Sequence, residues 1–172
     1  MPDPYPKIIA LLNQASVELF SRHGVAVAPS PTNCLAPEGR HILGTVGFGG
    51  NDMKGALAIL AAETLWRSIA SPGLPQADHL LADMVGEFSN MLLGRLRNSM
   101  LALGADATTG IPSAICGTNL IVDRTTAAGW HVFRSDRGLV FVRLQVAFRR
   151  GFQFGEDAKW SVRPNDADLI LF

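Results

Sequence analysis

The sequence predicts an α+β fold, with a largely antiparallel sheet packed against two long helices and one short helix. Apolar residues recur at helical spacing over residues 6–23 and 76–103. Short strand-like runs occur in pairs joined by turn residues, which indicates hairpins instead of the alternating strands and helices of a parallel sheet. A length of 172 residues fits a single domain over residues 1–172.

The first helix is predicted for residues 6–23. Pro6 suits the first helical turn, and Gly24 suits the left-handed conformation that ends many helices. The apolar face consists of Ile8, Ile9, Leu12, Ala15, Leu19 and Phe20. Prolines at positions 29, 31 and 37 confine the following residues, 25–36, to a loop or a sheet edge.

The remaining strands are predicted as hairpins and single runs. They cover residues 41–48 and 55–62, joined by a glycine-rich turn, then 113–122, and then 130–134 and 139–148 around a second turn. A short helix, 63–70, follows the first hairpin. Alternation of Val140, Val142 and Leu144 with Arg143 and Gln145 predicts one buried and one wet face for the last strand. Residues 168–172 are expected to close a sheet edge.

The long helix, predicted over residues 76–103 with Gly104 as its stop, has two contrasting faces. Its core-facing residues are Leu81, Met84, Val85, Phe88, Leu92 and Leu96. Its other face carries what we call the polar stripe: Asp83, Glu87, Asn90, Gly94 and Arg97. The first three of these lie within an arc of about 60°, at ~100° per residue. Spacing alone leaves open a solvated face or a surface presented to a partner.

Two glycines interrupt this helix. Gly86 and Gly94 each cost about 1 kcal/mol relative to alanine in a helix interior. We expect them to leave the surface around Glu87 and Asn90 low, so that another backbone can approach closely.

Composition narrows the classes of function. Hydrophobic residues make up 48% and charged residues 17% of the chain, which is typical of a compact globular protein. Fifteen basic and fifteen acidic residues give no net charge, and Arg149-Arg150 is too small a cluster to attract nucleic acid or anionic membrane. The first residues do not resemble a secretory signal, and the longest apolar run, 56–62, is too short to span a bilayer. We therefore expect a cytoplasmic protein with a protein or small-molecule partner.

Other motifs give weaker signals. Cys34 and Cys116 lie far apart, and with four scattered histidines they form no metal-ligand spacing, so we expect no metal of the chain's own and two buried thiols. The glycine-rich residues 44–50 could suggest a phosphate loop. Gly55, however, is followed by Ala56 instead of Lys-Ser/Thr, which favours a hairpin turn.

The pattern Asp83-x-x-x-Glu87-x-x-Asn90, with Pro112 22 residues after Asn90, resembles the signature of the CheC/CheX/FliY chemotaxis phosphatases. Residues 87–94 and 111–117 also resemble CheX segments, although Pro112 comes one residue earlier than in that pattern. The resemblance covers about residues 6–148. Helix one lacks the second E-x-x-N motif of CheC-like members, which implies one site per chain, and residues 149–172 have no recognisable counterpart.

The resemblance implies a substrate and roles for the stripe. The substrate would be the aspartyl phosphate of a CheY-like receiver domain, which supplies its own Mg²⁺ and lysine. Asn90 would orient the attacking water and Glu87 would pair with that lysine, both as catalytic residues. Asp83, Gly86, Gly94 and Arg97 would contribute to docking. CheX similarity also implies a homodimer formed through sheet edges.

Two alternatives remain open at this point. One is a non-catalytic CheX-like module that binds a receiver or another signalling partner without hydrolysis. The other is a small-molecule-binding α+β domain that uses the glycine-rich hairpin. Retention of both Glu87 and Asn90 favours the phosphatase.

Overall fold

The structure, a computed structural model, describes residues 3–30, 39–70, 77–120 and 129–155. The described helices are α1 (Tyr5–Arg22), α2 (Glu63–Ile69) and α3 (Asp78–Leu101). The described strands are β1 (Ala28–Ser30), β2 (Arg40–Gly49), β3 (Met53–Ala62), β4 (Thr108–Thr109), β5 (Ser113–Thr118), β6 (His131–Ser135) and β7 (Gly138–Phe148). The predicted α+β class with two long helices and one short helix is confirmed.

All seven described strands form one antiparallel sheet in the order β1-β6-β7-β3-β2-β4. Strand β5 pairs with the first half of β2, and β4 pairs with the last two residues of β2. Both predicted hairpins, β2–β3 and β6–β7, are present. The sheet edges among the described strands are therefore β1 on one side and β4 with β5 on the other.

The main core lies between one face of the sheet and the helices. Phe88 of α3 is at its centre, with ring centroids 4.9 Å from Phe20 of α1 and 5.3 Å from Trp66 of α2. The sheet contributes alternate residues of each central strand, among them Ile42, Val46, Leu57, Ile59, Val140, Val142 and Leu144. One aromatic side chain thus joins all three helices above the sheet.

The opposite face of the sheet is less exposed to solvent than the alternation of residues in the last strand predicts. Leu60, Val132 and Phe141 on adjacent strands are 1%, 4% and 5% exposed and form a second, smaller apolar cluster. The Arg143 guanidinium lies 6.0 Å from the ring centroid of Trp130 at this cluster. The prediction of a wet face holds at Gln145, which is exposed, but not at Phe141, because neighbouring strands bring apolar residues together that are not adjacent in sequence.

Several element boundaries differ from those predicted. The β2–β3 turn is tighter, since the Gly50 N–H donates to the Met53 carbonyl at 2.8 Å and both strands extend toward it. Helix α3 begins and ends two residues inside its predicted range. Strand β5 ends at Thr118, before Asn119, which has a φ of +53°. The two-residue β4 was not predicted, and residues 121–122 and 168–172 lie outside the described residues.

The chain after β7 turns back along the molecule as far as it is described. The Arg149 N–H donates to the Asp52 carbonyl at 2.7 Å, and the Gly155 N–H donates to the Leu103 carbonyl at 2.9 Å. Phe148, Phe152 and Phe154 form a mutual ring cluster with centroids 5.1–5.9 Å apart. Residues 149–155, which sequence alone left without a location, connect the β2–β3 turn with the end of α3.

Candidate active site

Helix α3 is oriented by close contact with β2. The Ser89 hydroxyl is buried and donates to the Val85 carbonyl at 3.1 Å. Gly44 of β2 lies directly beneath this turn, where a Cβ atom would come within 2.7 Å of the Val85 carbonyl oxygen. This close contact directs the polar stripe away from the sheet. The buried residues on the same side of the helix, Val85, Phe88, Leu92 and Leu96, have the same effect.

An ion-pair network holds the start of the same helix. Asp78, its first residue, accepts from Arg40 Nη2 at 2.7 Å and lies 3.3 Å from Arg67 Nη2. Glu63 of α2 bridges the same two arginines. The hydrogen bond from Arg40, and then its charge, lowers the pKa of the Asp78 carboxyl below its ordinary value. Negative charge at this position also suits the positive end of the helix dipole.

The two predicted catalytic residues lie together on the outer face. Glu87 is exposed and Asn90 is half-buried. Asn90 follows Glu87 by three residues, which corresponds to about 4.5 Å along the helix axis and about 5–6 Å between their Cβ atoms. Asp83, also exposed, lies one turn before Glu87. Within the described part of the chain, none of these three side chains takes part in a hydrogen bond or ion pair.

The structure corrects the expectation about Gly86. This glycine is buried, and a Cβ atom on it would lie 3.8 Å from Pro112 Cβ and 3.9 Å from the Ser113 carbonyl carbon. The space beside Gly86 is thus occupied by the chain's own β4–β5 loop. At Gly94, in contrast, a Cβ would have no neighbour within 4 Å, so the low surface predicted there is present.

Arg97, the last residue of the stripe, has an intramolecular partner. Its Nη2 lies 3.2 Å and its Nε 3.4 Å from Asp106 Oδ1. Both side chains are well exposed, at 39% and 63%. An exposed pair of this kind contributes little to stability and can be exchanged for another partner.

The glycine-rich hairpin serves packing. A Cβ at Gly55 would collide with the Gln145 carbonyl oxygen of β7, and one at Gly50 would come within 2.5 Å of the Asp106 carbonyl oxygen. These glycines permit close approach of the chain's own backbone. The prediction of a hairpin over a phosphate loop is confirmed.

The cysteines and histidines of the described residues form no further site. Cys116 is half-buried against the main core, less buried than predicted, while Cys34 lies outside the described residues. In the described ranges, no three His, Cys, Asp or Glu side chains come together as a metal site. None of the three described helices is both long and apolar enough to cross a membrane.

Solved structures share this fold. A CheX from Desulfovibrio desulfuricans is 18% identical with a TM-score of 0.68, over 82% of this chain and 99% of that one. CheX from Vibrio vulnificus is 20% identical with a TM-score of 0.65, over 81% and 93%. The Borrelia burgdorferi CheX–CheY–BeF₃–Mg²⁺ complex matches with 17% identity and a TM-score of 0.59, over 84% and 97%. The fold is therefore that of the CheX-like proteins.

The family model described as chemotaxis phosphatase CheX matches residues 42–134, more than half of the chain. The protein belongs to the CheX family of chemotaxis phosphatases. The matched range includes most of β2 and all of α3 and β5, so it contains the polar stripe and the loop that packs beside it. No curated protein sequence matches the chain significantly.

Sequence reasoning missed two positions that orient the stripe. Gly44 and Ser89 form the contact between β2 and α3, but glycine has no reactive side chain and Ser89 lies outside the spacing of the polar stripe. A small polar residue on the apolar side of a helix was the available signal for Ser89. For Gly44 the local sequence offers no signal, because the residues that it contacts, Val85 and Ser89, lie 41 and 45 positions further along the chain.

Proposed function

We propose that this phosphatase hydrolyses the aspartyl phosphate of a CheY-like receiver domain, with Glu87 and Asn90 as its catalytic residues. The observation that carries the proposal is their arrangement on α3. An exposed carboxylate and a half-buried carboxamide lie one turn apart, and neither is engaged by the described residues, in a chain of this family. Side chains free of intramolecular partners can enter another protein's site without first breaking a contact.

Asn90 supplies what such a hydrolysis requires. Phosphoryl transfer passes through a loose transition state that depends more on positioning than on a strong base. The carboxamide oxygen of Asn90 accepts a hydrogen bond from the attacking water, and its NH₂ group donates one. The water is thereby held in line with the phosphorus–oxygen bond that breaks. The receiver aspartate leaves as its carboxylate, and the proton of the attacking water remains on the inorganic phosphate that is released.

Glu87 acts on the partner and not on the phosphoryl group. A carboxylate would repel the negatively charged phosphoryl oxygens, so its partner must be a cation, for which the receiver lysine is suited. Asp83, one turn earlier, contributes a second negative charge to docking. Arg97 and the open surface at Gly94 extend the same face.

Mg²⁺ is proposed to arrive with the receiver. The structurally similar Borrelia burgdorferi CheX was crystallised with CheY, BeF₃ and Mg²⁺, which supports a receiver partner that carries the metal. Neutralisation of phosphoryl charge by that ion leaves this chain the task of orienting water, consistent with a carboxamide at position 90.

A homodimer in the cytoplasm is proposed as the working form. Strand β5 hydrogen-bonds to β2 on one side, and no described strand pairs with its other side. Such an edge is prone to pair with another strand. A dimeric mass in light scattering at micromolar concentration is expected, and a monomer would contradict the proposal.

The test is the decay of a phosphorylated receiver domain from the same organism, measured with and without the protein. Wild type should accelerate decay, while Asn90→Ala and Glu87→Ala should lower the rate at saturating receiver by about 10²-fold or more. Asn98→Ala, at an exposed asparagine two turns further on the same helix, is the matched control and should remain active. Equal activity of Asn90→Ala and wild type would refute the assignment.

A further inference from the structure

Ile111 is the most exposed large apolar side chain among the described residues, at 90%. It lies in the loop between β4 and β5, directly before Pro112. A single exposed isoleucine is ordinary on a protein surface and needs no explanation by itself. Its location and the way in which its backbone is held distinguish this one.

The loop places Ile111 beside the polar stripe. Its neighbour Pro112 packs against Gly86 of α3, and Gly86 directly precedes Glu87. Asn90 lies one helical turn beyond Gly86, about 40° around the helix. Consecutive Cα atoms are only about 3.8 Å apart, so Ile111 borders the same surface that carries both proposed catalytic residues.

The backbone around Ile111 is fixed on both sides. The Gly110 N–H donates to the Gly47 carbonyl at 2.7 Å, which ties the loop to β2. On the other side, the proline ring fixes its own φ and restricts the preceding residue to extended conformations. Because the backbone is already held, a partner can cover this side chain without the conformational entropy cost of ordering the loop.

We infer that Ile111 is an apolar docking residue for the receiver domain, inserted against an apolar patch beside the receiver's phosphorylated aspartate. The inference rests on the proposed function, since it identifies the receiver as the occupant. The polar stripe brings charge and a carboxamide, which give orientation but little affinity once desolvated. A buried aliphatic anchor at the border of that stripe supplies the affinity.

Ile115, on the strand that follows the loop, provides a matched control. It is 52% exposed and pairs in register with Leu43, which packs against the second cluster on the sheet face opposite the helices. It is thus the same residue type, four positions away, but directed away from α3. Substitution there tests for a general effect of surface hydrophobicity or of the β5 edge.

The experiment measures KM and kcat for receiver dephosphorylation with Ile111→Ser, Ile111→Leu and Ile115→Ser. Ile111→Ser should raise KM roughly tenfold with kcat unchanged, because apolar burial is lost before the chemical step. Ile111→Leu should restore the wild-type KM, and Ile115→Ser should leave it unaltered. An unchanged KM for Ile111→Ser, or an equal rise for Ile115→Ser, would overturn the inference.

Binding separates this inference from the proposed function. Affinity is measured for the receiver treated with BeF₃⁻ and Mg²⁺, together with the mass of the free protein. If Asn90→Ala is inactive and Ile111→Ser binds the receiver with wild-type affinity, the proposed function stands and Ile111 is not a docking residue. A change of oligomeric mass in Ile111→Ser would assign the side chain to a second copy of this chain. Wild type that neither hydrolyses nor binds the receiver would refute both.

Discussion

Gly44 of β2 lies so close beneath α3 that a side chain at this position would meet the Val85 carbonyl oxygen at 2.7 Å. The contact sets the height of the helix above the sheet at the turn that precedes Asn90. Any outward movement of this turn would also separate Gly86 from Pro112. The packing of one glycine and the geometry of the polar stripe are therefore linked.

Gly44→Ala should destabilise the protein by about 1–3 kcal/mol, the range for overpacking a core, and should lower kcat as the helix shifts. The measurements are urea unfolding and receiver dephosphorylation. Gly47→Ala is the control on the same strand, where a Cβ would be 3.8 Å from its nearest neighbour, an ordinary contact. Equal stability of the two variants would show that α3 tolerates displacement.

Arg97→Ala and Asp106→Ala should differ, although they remove the same ion pair. The exposed pair contributes little to stability, so the free energy of unfolding of both variants should be close to that of wild type. Loss of Arg97 should raise KM for the receiver about two- to fivefold, whereas loss of Asp106 leaves the cation in place and should not raise it. An equal rise in KM for both would mean that the pair itself, and not the free arginine, matters for docking.

Phe154→Ala should destabilise the protein by about 1–2 kcal/mol, since its half-buried ring packs 5.1 Å from Phe152 and 5.9 Å from Phe148. The Gly155 amide, which donates to Leu103, should then exchange its hydrogen faster. Gln153→Ala, at an exposed position in the same segment, should change neither quantity. Unaltered exchange in Phe154→Ala would mean that the ring cluster does not hold this segment.

Stability should decrease as the pH falls below about 6.5, with His131 contributing. Burial lowers the pKa of His131 from 6.5, so the unfolded chain binds its proton first as the solution is acidified. The stability that the buried, neutral His131 ring allows is fully present above pH 6.5 and is lost as the pH falls toward the pKa of His131 in the folded state. Between pH 7.5 and 5.5, His131→Gln should lose less stability in urea than wild type. A slope identical to that of wild type in His131→Gln would contradict the assignment.

Local periodicity was sufficient for most of the architecture. The 3.6-residue repeat identified α1 and α3 within two residues at each end, and turn residues identified both hairpins. It also identified which face of α3 is exposed, because burial of Leu81, Phe88 and Leu92 leaves Glu87 and Asn90 outside. The spacing and identity of the candidate catalytic residues are thus properties of the sequence itself.

What surrounds those residues was decided by contacts between distant parts of the chain. The sequence placed Gly86 on an open surface, whereas the β4–β5 loop covers it and brings Ile111 to the border of the stripe. Apolar residues of β3, β6 and β7 likewise meet on the second sheet face through strand pairing. Periodicity within one segment specifies which side a residue faces, and the resemblance to the CheX signature is what singled out Glu87 and Asn90 on that side. Only long-range pairing specifies what a residue meets there, and this is why the tertiary structure decided the surface on which a partner would dock.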